Sequence, residues 1–230
     1  MNTASELMSI LALPLLACVI LTGIHCYLGL HVLMREVIFV DLALAQVAAL
    51  GAAVGATVGL AVDSTANYFA ALGFTLAGAA LFAVGRFKDR RVPQEAVIGI
   101  VYAVCSAAAI LVLSKSATER DEIEHMLTGR LLFVSWHDII KTASIYSGVA
   151  IVHALFRRRF FALSRAEGLD GPADRFWDFL FYATFGVVVT SSVKLAGVLL
   201  VFSYLIIPAA CAMLFFRTLA TRLLAGWGFG

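Results

Sequence analysis

The stretch HVLMREVIFVDLALAQVAALGAAVGATVG, His31 to Gly59, decides how the rest of the chain is read. It opens with a short polar hinge, His31 to Glu36, and continues as a long apolar helix. One carboxylate, Asp41, and one amide, Gln46, are embedded in that helix. Gly51, Gly55 and Gly59 follow at four-residue spacing. Such spacing puts bare backbone on one helix face, so a neighbouring helix can approach closely in lipid. Span length, small-residue packing and embedded polar groups together predict a helix inside a membrane bundle, not a lone anchor. An ionisable group within a membrane is by default a candidate functional residue.

Composition supports this frame. The 230 residues are 62% hydrophobic and 14% charged, with a mean hydropathy of +0.95, which excludes a water-soluble domain. The apolar residues fall in several runs of about the 20 residues that cross a bilayer core. Backbone groups there find no water, so each segment must satisfy its own, and helices are the expected form. The net charge of +2 is uninformative, because charge location outweighs charge sum in a membrane protein. Cys18, Cys26, Cys105 and Cys211 all lie in apolar runs, which argues against a disulfide framework. Met1 to Ser9 has no basic n-region and leads into a span-length run, so no cleavable signal peptide is predicted. One transmembrane domain over residues 1–230 is expected.

Outward from the opening stretch, the chain reads as an all-α polytopic bundle of about seven full spans. They cover roughly 10–33, 37–62, 68–85, 96–113, 139–156, 176–192 and 196–216, with a tight turn near Lys194. Leu219 to Gly230 reads as the opening of another span, and a truncated C-terminus is the favoured expectation. The basic residues alternate consistently. Arg35, the cluster Arg86 to Arg91, the run from Arg157 to Arg175 and the pair Arg217 and Arg222 all fall on one side. The positive-inside rule assigns that side to the cytoplasm. The N-terminus then lies outside, as does the polar loop Ser114 to Asp138.

Several functional classes drop out. The phosphate-binding pattern G-x-x-x-x-G-K-[ST], the H-E-x-x-H zinc motif and the G-x-S-x-G elbow are all absent. No basic surface interleaved with aromatics points to nucleic acid. Few intramembrane charges and a long basic linker fit a passive pathway driven by another subunit. A stand-alone secondary carrier is the alternative, but such carriers tend to show internal repeats and midplane charges. Neither is evident here.

Individual residues carry two readings each. Asp41 sits at a helix start, where the dipole favours a carboxylate, or it contacts a cation. Gln46 bonds across helices or lines a pathway. Cys18 and His25 are seven apart and nearly in line; they are soft ligands, or buried groups with no such role. The cluster Asp121 to His125 is a solvated docking face or a gatherer of cations. Pro208 cannot bond the carbonyl of Tyr204, so it kinks its span, with or without exposing that oxygen to the pathway.

Four stretches, in order, resemble bacterial metal-ion ABC transporter permeases, the type that imports zinc, manganese or iron(II). They are VLMREVIFVDLALAQVAALG, AVIGIVYAVCSAAAILVLS (Ala96 to Ser114), MLTGRLLFVSWHDI (Met126 to Ile139) and AGVLLVFSYLIIPAACAMLF (Ala196 to Phe215). Each motif alone is mostly small and apolar, but their joint order and spacing cover nearly the whole chain. The resemblance implies a permease subunit in the bacterial inner membrane that pairs with a second copy, an ATP-binding subunit and an extracytoplasmic metal-binding protein. It implies no cofactor on this chain, ATP on the partner subunit and a divalent metal cation as cargo. The family's usual Gly-Asp-Ala-Leu-Ser-His-Ala aligns with Asp41 to Val47, so Leu42 stands at the Asp position and Gln46 at the His position. An isobutyl group cannot ligate a cation, and an amide oxygen is a weak neutral ligand for a transition metal. Asp41 falls one residue early, about 100° around a helix. The metal candidates are Asp41 and Gln46 in this aligned segment, together with His25 and Cys18 from their spacing on the first span. The family's coupling helix, which meets the ATPase, falls in the linker after Phe156, and the matching residues are Ser164, Arg165, Ala166, Glu167 and Gly168.

Overall fold

The computed structural model describes residues 3–62, 64–85, 92–114, 129–165 and 172–230. The helices are α1 (Thr3–Met34), α2 (Val40–Thr57), α3 (Thr65–Val84), α4 (Gln94–Leu113), α5 (Trp136–Leu155), α6 (Arg157–Ser164), α7 (Pro172–Ala196), α8 (Val198–Phe215) and α9 (Leu219–Phe229), with a 3-10 turn at Leu131–Phe133. No strand occurs among the described residues. Six helices are long and apolar enough to cross a membrane, or seven if α5 and α6 count as one span bent by 80° at Phe156. Large apolar side chains such as Val19, Phe69, Ile100, Leu111, Ile151 and Leu214 are exposed on the helix outsides. That surface suits lipid and not water.

The boundaries shift where packing overrides the sequence pattern. The polar stretch from His31 was expected to be a hinge, but α1 stays helical through Met34. His31 is fully buried, and its partner lies on a distant element, so polarity there marks an internal contact and not a solvent turn. The true turn is Arg35 to Phe39, where Glu36 adopts φ 57°, an uncommon conformation for a residue with a side chain. At its other end α2 stops at Thr57, short of Val62. The tight turn lies at Gly197 and not at Lys194, which remains inside α7. Gly197 is the single residue between α7 and α8, and its φ of 76° is where glycine costs nothing.

Two packing groups build the bundle. α2 lies against α3 and α4 and reaches α7, while α1 pairs with α8 and α9 packs on both. Bare backbone permits the closest approaches. A Cβ at Gly29 of α1 would collide with the Leu205 carbonyl of α8, a contact the sequence reading did not single out. Between the groups, Phe82, Phe181, Tyr182 and Phe185 are buried with Leu21, Leu28 and Leu44. The 11 residues of α9 rise about 16 Å, half of a bilayer core. They run back along α1, where the Trp227 indole N–H donates to the Gly23 carbonyl at 3.1 Å.

Candidate translocation and coupling site

The start of α2 is built from two helices. Glu95, in the first turn of α4, accepts the Phe39 N–H at 3.0 Å. Asp41 lies in the first turn of α2 and is 2% exposed. Two carboxylates therefore stand where the helix dipole favours negative charge. Asp41 Oδ1 and Glu95 Oε2 are buried without a hydrogen-bond partner among the described residues. The sequence reading missed Glu95, although its place two residues after Pro93 is a helix-start signal.

The positions aligned with the family's Asp and His point differently. Leu42 and Gln46 are half-buried, and so are Leu50 and Val54 at the same four-residue spacing. They form one stripe along α2, whereas Asp41 is turned inward. The opposite face meets α3. A Cβ at Gly51 would lie 2.9 Å from the Ala71 Cα, and one at Gly55 would collide with the Asn67 side-chain oxygen. Gly59 does not belong to this contact. It lies beyond the helix end with φ 91° and open space around it, because α2 ends two residues earlier and the four-residue spacing no longer maps onto one face.

Cys18 and His25 are not gathered into one metal site. His25 Nδ1 donates to the Leu21 carbonyl at 2.7 Å, and Nε2 lies 3.1 Å from Ser192 Oγ on α7. Tyr146 of α5 completes that buried trio through its hydroxyl contact with Ser192. Both imidazole nitrogens are thus engaged, while Cys18 is half-buried and its thiol meets the Tyr204 side chain of α8. No group of three or more His, Cys, Asp or Glu side chains suited to a metal occurs among the described residues. Pro208 is buried within α8, which continues helically past it, and the glycine-bearing end of α9 packs beside its carbonyl.

A second polar cluster joins three elements at the arginine-rich end. Arg35, just after α1, donates from Nε to Ser164 Oγ at 3.1 Å and from Nη1 to Asp178 Oδ1 at 2.9 Å. Its guanidinium carbon stands 3.8 Å from the Phe181 ring centroid. His31 Nδ1 meets the same Ser164 oxygen at 2.7 Å. That hydroxyl donates in turn to the Phe160 carbonyl at 2.9 Å, so His31 and Arg35 supply the two hydrogens its oxygen accepts. Nearby, His153 of α5 bridges Tyr27 at 3.2 Å and Thr184 at 2.9 Å. Of the residues assigned to coupling, Ser164 is buried in this cluster and Arg165 is exposed at the end of α6. Ala166, Glu167 and Gly168 lie outside the described residues, as does the cluster Asp121 to His125.

The opposite end holds a cavity of about 560 Å³ floored by α2 alanines, including Ala45, Ala48 and Ala52. Arg130, Lys141 and Lys194 line it with one described carboxylate, Asp138. Asp138 is held by the Ser135 amide and hydroxyl in the cap of α5.

The fold and these clusters define a class first: a polytopic helical membrane protein whose polar groups sit at helix ends and in buried inter-helix contacts. The chain belongs to the ABC 3 transport family, which it matches over residues 8–229. It is similar to the manganese transport system membrane protein MntB of Synechocystis sp., 28% identical over 64% of this chain and 49% of that protein. It is also similar to a probable iron transport system membrane protein of Haemophilus influenzae, 28% identical over 56% of this chain and 49% of that one. The high-affinity zinc uptake system membrane protein ZnuB of Haemophilus influenzae is 26% identical over 93% and 80%. The chain spans about half the length of several curated relatives it matches. The solved structure of PsaBC from Streptococcus pneumoniae in complex with Fab superposes with a TM-score of 0.74 over 96% of this chain and 78% of that one. At 19% identity, that likeness shows the fold.

Proposed function

We propose that this chain is the membrane-spanning permease subunit of an ATP-binding-cassette importer for a divalent metal cation: zinc, manganese or iron(II). The observation that carries the reading is the family match across residues 8–229, joined to relatives named for manganese, iron and zinc transport. The chain provides the pathway, and a separate subunit binds and hydrolyses ATP. An extracytoplasmic metal-binding protein delivers the cation, and a second copy of the permease completes the pathway in the inner membrane. The arginine-rich end faces the cytoplasm and the N-terminus lies outside, in keeping with the positive-inside rule.

Within this reading the half-buried stripe Leu42, Gln46, Leu50 and Val54 faces the translocation route, and Asp41 supports the start of α2 from behind it. The route holds no tight metal site on this chain. Selectivity rests with the binding protein, since a translocation site must also release its ion. The test is reconstitution of the chain with its ATP-binding and metal-binding partners in liposomes, followed by analysis of accumulated metal. ATP-dependent accumulation of zinc, manganese or iron(II) is expected. Accumulation driven by an ion gradient without ATP would overturn the reading.

A further inference from the structure

We infer that Arg35, Ser164 and Asp178 form a mechanical link that carries ATPase-driven motion from the linker to the pathway helix α2. The inference rests on the permease reading above and names residues within it that act by positioning, through contacts distant in sequence. Ser164 ends α6 and Asp178 lies near the start of α7, so together they flank the linker between the two helices. Both are bound by one side chain, Arg35, across 129 and 143 residues of sequence. Arg35 opens the five-residue turn that leads directly into α2 and the stripe containing Leu42 and Gln46.

Burial makes the link stiff. Side-chain exposure is 7% for Arg35 and 2% for Asp178, so water does not compete with the ion pair as it does at a surface. The Phe181 ring beneath the guanidinium fixes its plane, and His31 and Arg35 together fill the acceptor positions of Ser164. A fork of this kind transmits direction as well as distance, because a guanidinium presents its donors in a rigid plane. The bonded neighbours of the turn are specific, and the turn itself holds the left-handed Glu36. A shift of α6 relative to α7 therefore cannot occur without moving Arg35 or breaking one of its two bonds.

The test uses the chain assembled with its ATP-binding and metal-binding partners in liposomes, with manganese(II), zinc(II) and iron(II) as separate probes. Metal taken up and ATP hydrolysed are measured together. The double variant Arg35→Met/Asp178→Leu replaces the ion pair with apolar side chains, a change that commonly preserves or raises stability. It should keep its melting temperature and its hydrolysis while metal moved per ATP drops about tenfold. Ser164→Ala, which leaves no buried charge behind, should lower the same ratio by a smaller factor. A folded double variant with the parent's ratio overturns the inference, since a merely structural pair would leave the ratio untouched. A parent complex that hydrolyses ATP and moves none of the three metals overturns the permease reading, and the inference falls with it.

Discussion

Asp41 and Gln46 show how one residue of offset changes a role. Both are polar groups in an apolar helix, and a reading by composition treats them alike. The structure separates them: Asp41 is buried at the helix start with Glu95 close to the same backbone, while Gln46 lies half-open on another face. The 100° offset of Asp41 from the family's carboxylate was legible in the sequence, but the second carboxylate was not. Glu95 is 56 residues from the amide it accepts, and only packing of α4 on α2 brings them together. Asp41→Asn keeps the side-chain size and removes the ionisable carboxyl from the helix start. Metal uptake by the assembled complex should fall modestly with the order of metal preference unchanged. Abolished uptake in a folded, ATP-hydrolysing complex would place Asp41 in the cation's route.

Among the elements, α2 is sensitive to a small change where it meets α3. Gly51 lets the α2 and α3 backbones meet, Gly55 makes room for the Asn67 side chain, and the four-residue spacing predicted such a face. Gly59 continues the spacing and yet serves the chain turn after α2. Gly55→Leu should strongly lower the melting temperature in detergent, because its first carbon already overlaps Asn67. Gly59→Ala meets no neighbour and should cost only about 1 kcal/mol, from its backbone angle. Parent-like melting of Gly55→Leu would place the glycine face against lipid. The short helix α6 shows the converse lesson. Its arginines Arg157, Arg158 and Arg159 are exposed, while Phe160, Leu163 and Ser164 turn inward.

At the scale of the whole molecule, orientation and coupling each give a measurable prediction. Val58 is exposed in the connection between α2 and α3, and Arg158 is exposed at the arginine-rich end. In a background without the native cysteines, Val58→Cys should react with a membrane-impermeant maleimide added to intact cells. Arg158→Cys should react only after the membrane is opened. The reverse pattern would invert the topology. Coupling is tested by replacing Ala166 to Gly168 with a Gly-Ser segment, which should leave membrane insertion intact and separate hydrolysis from uptake. Unchanged transport by that variant would remove these residues from the coupling path.

What the sequence determined by itself was the class of fold and the order of its spans. Hydrophobic run length and the location of arginines are local properties, and a bilayer reads them locally, segment by segment. The glycines at 51 and 55 were legible for the same reason, since helical spacing fixes a face without reference to its partner. The tertiary structure alone decided which polar residues meet. His31 looked like part of a solvent hinge until α6 placed Ser164 2.7 Å from its ring. Arg35 looked like topogenic charge until α7 supplied Asp178. His25 carried two readings in the sequence, and packing set Ser192 and the Leu21 carbonyl against its two nitrogens. In each case the partner is set by helix packing, and a buried polar group takes its role from whichever neighbour satisfies it.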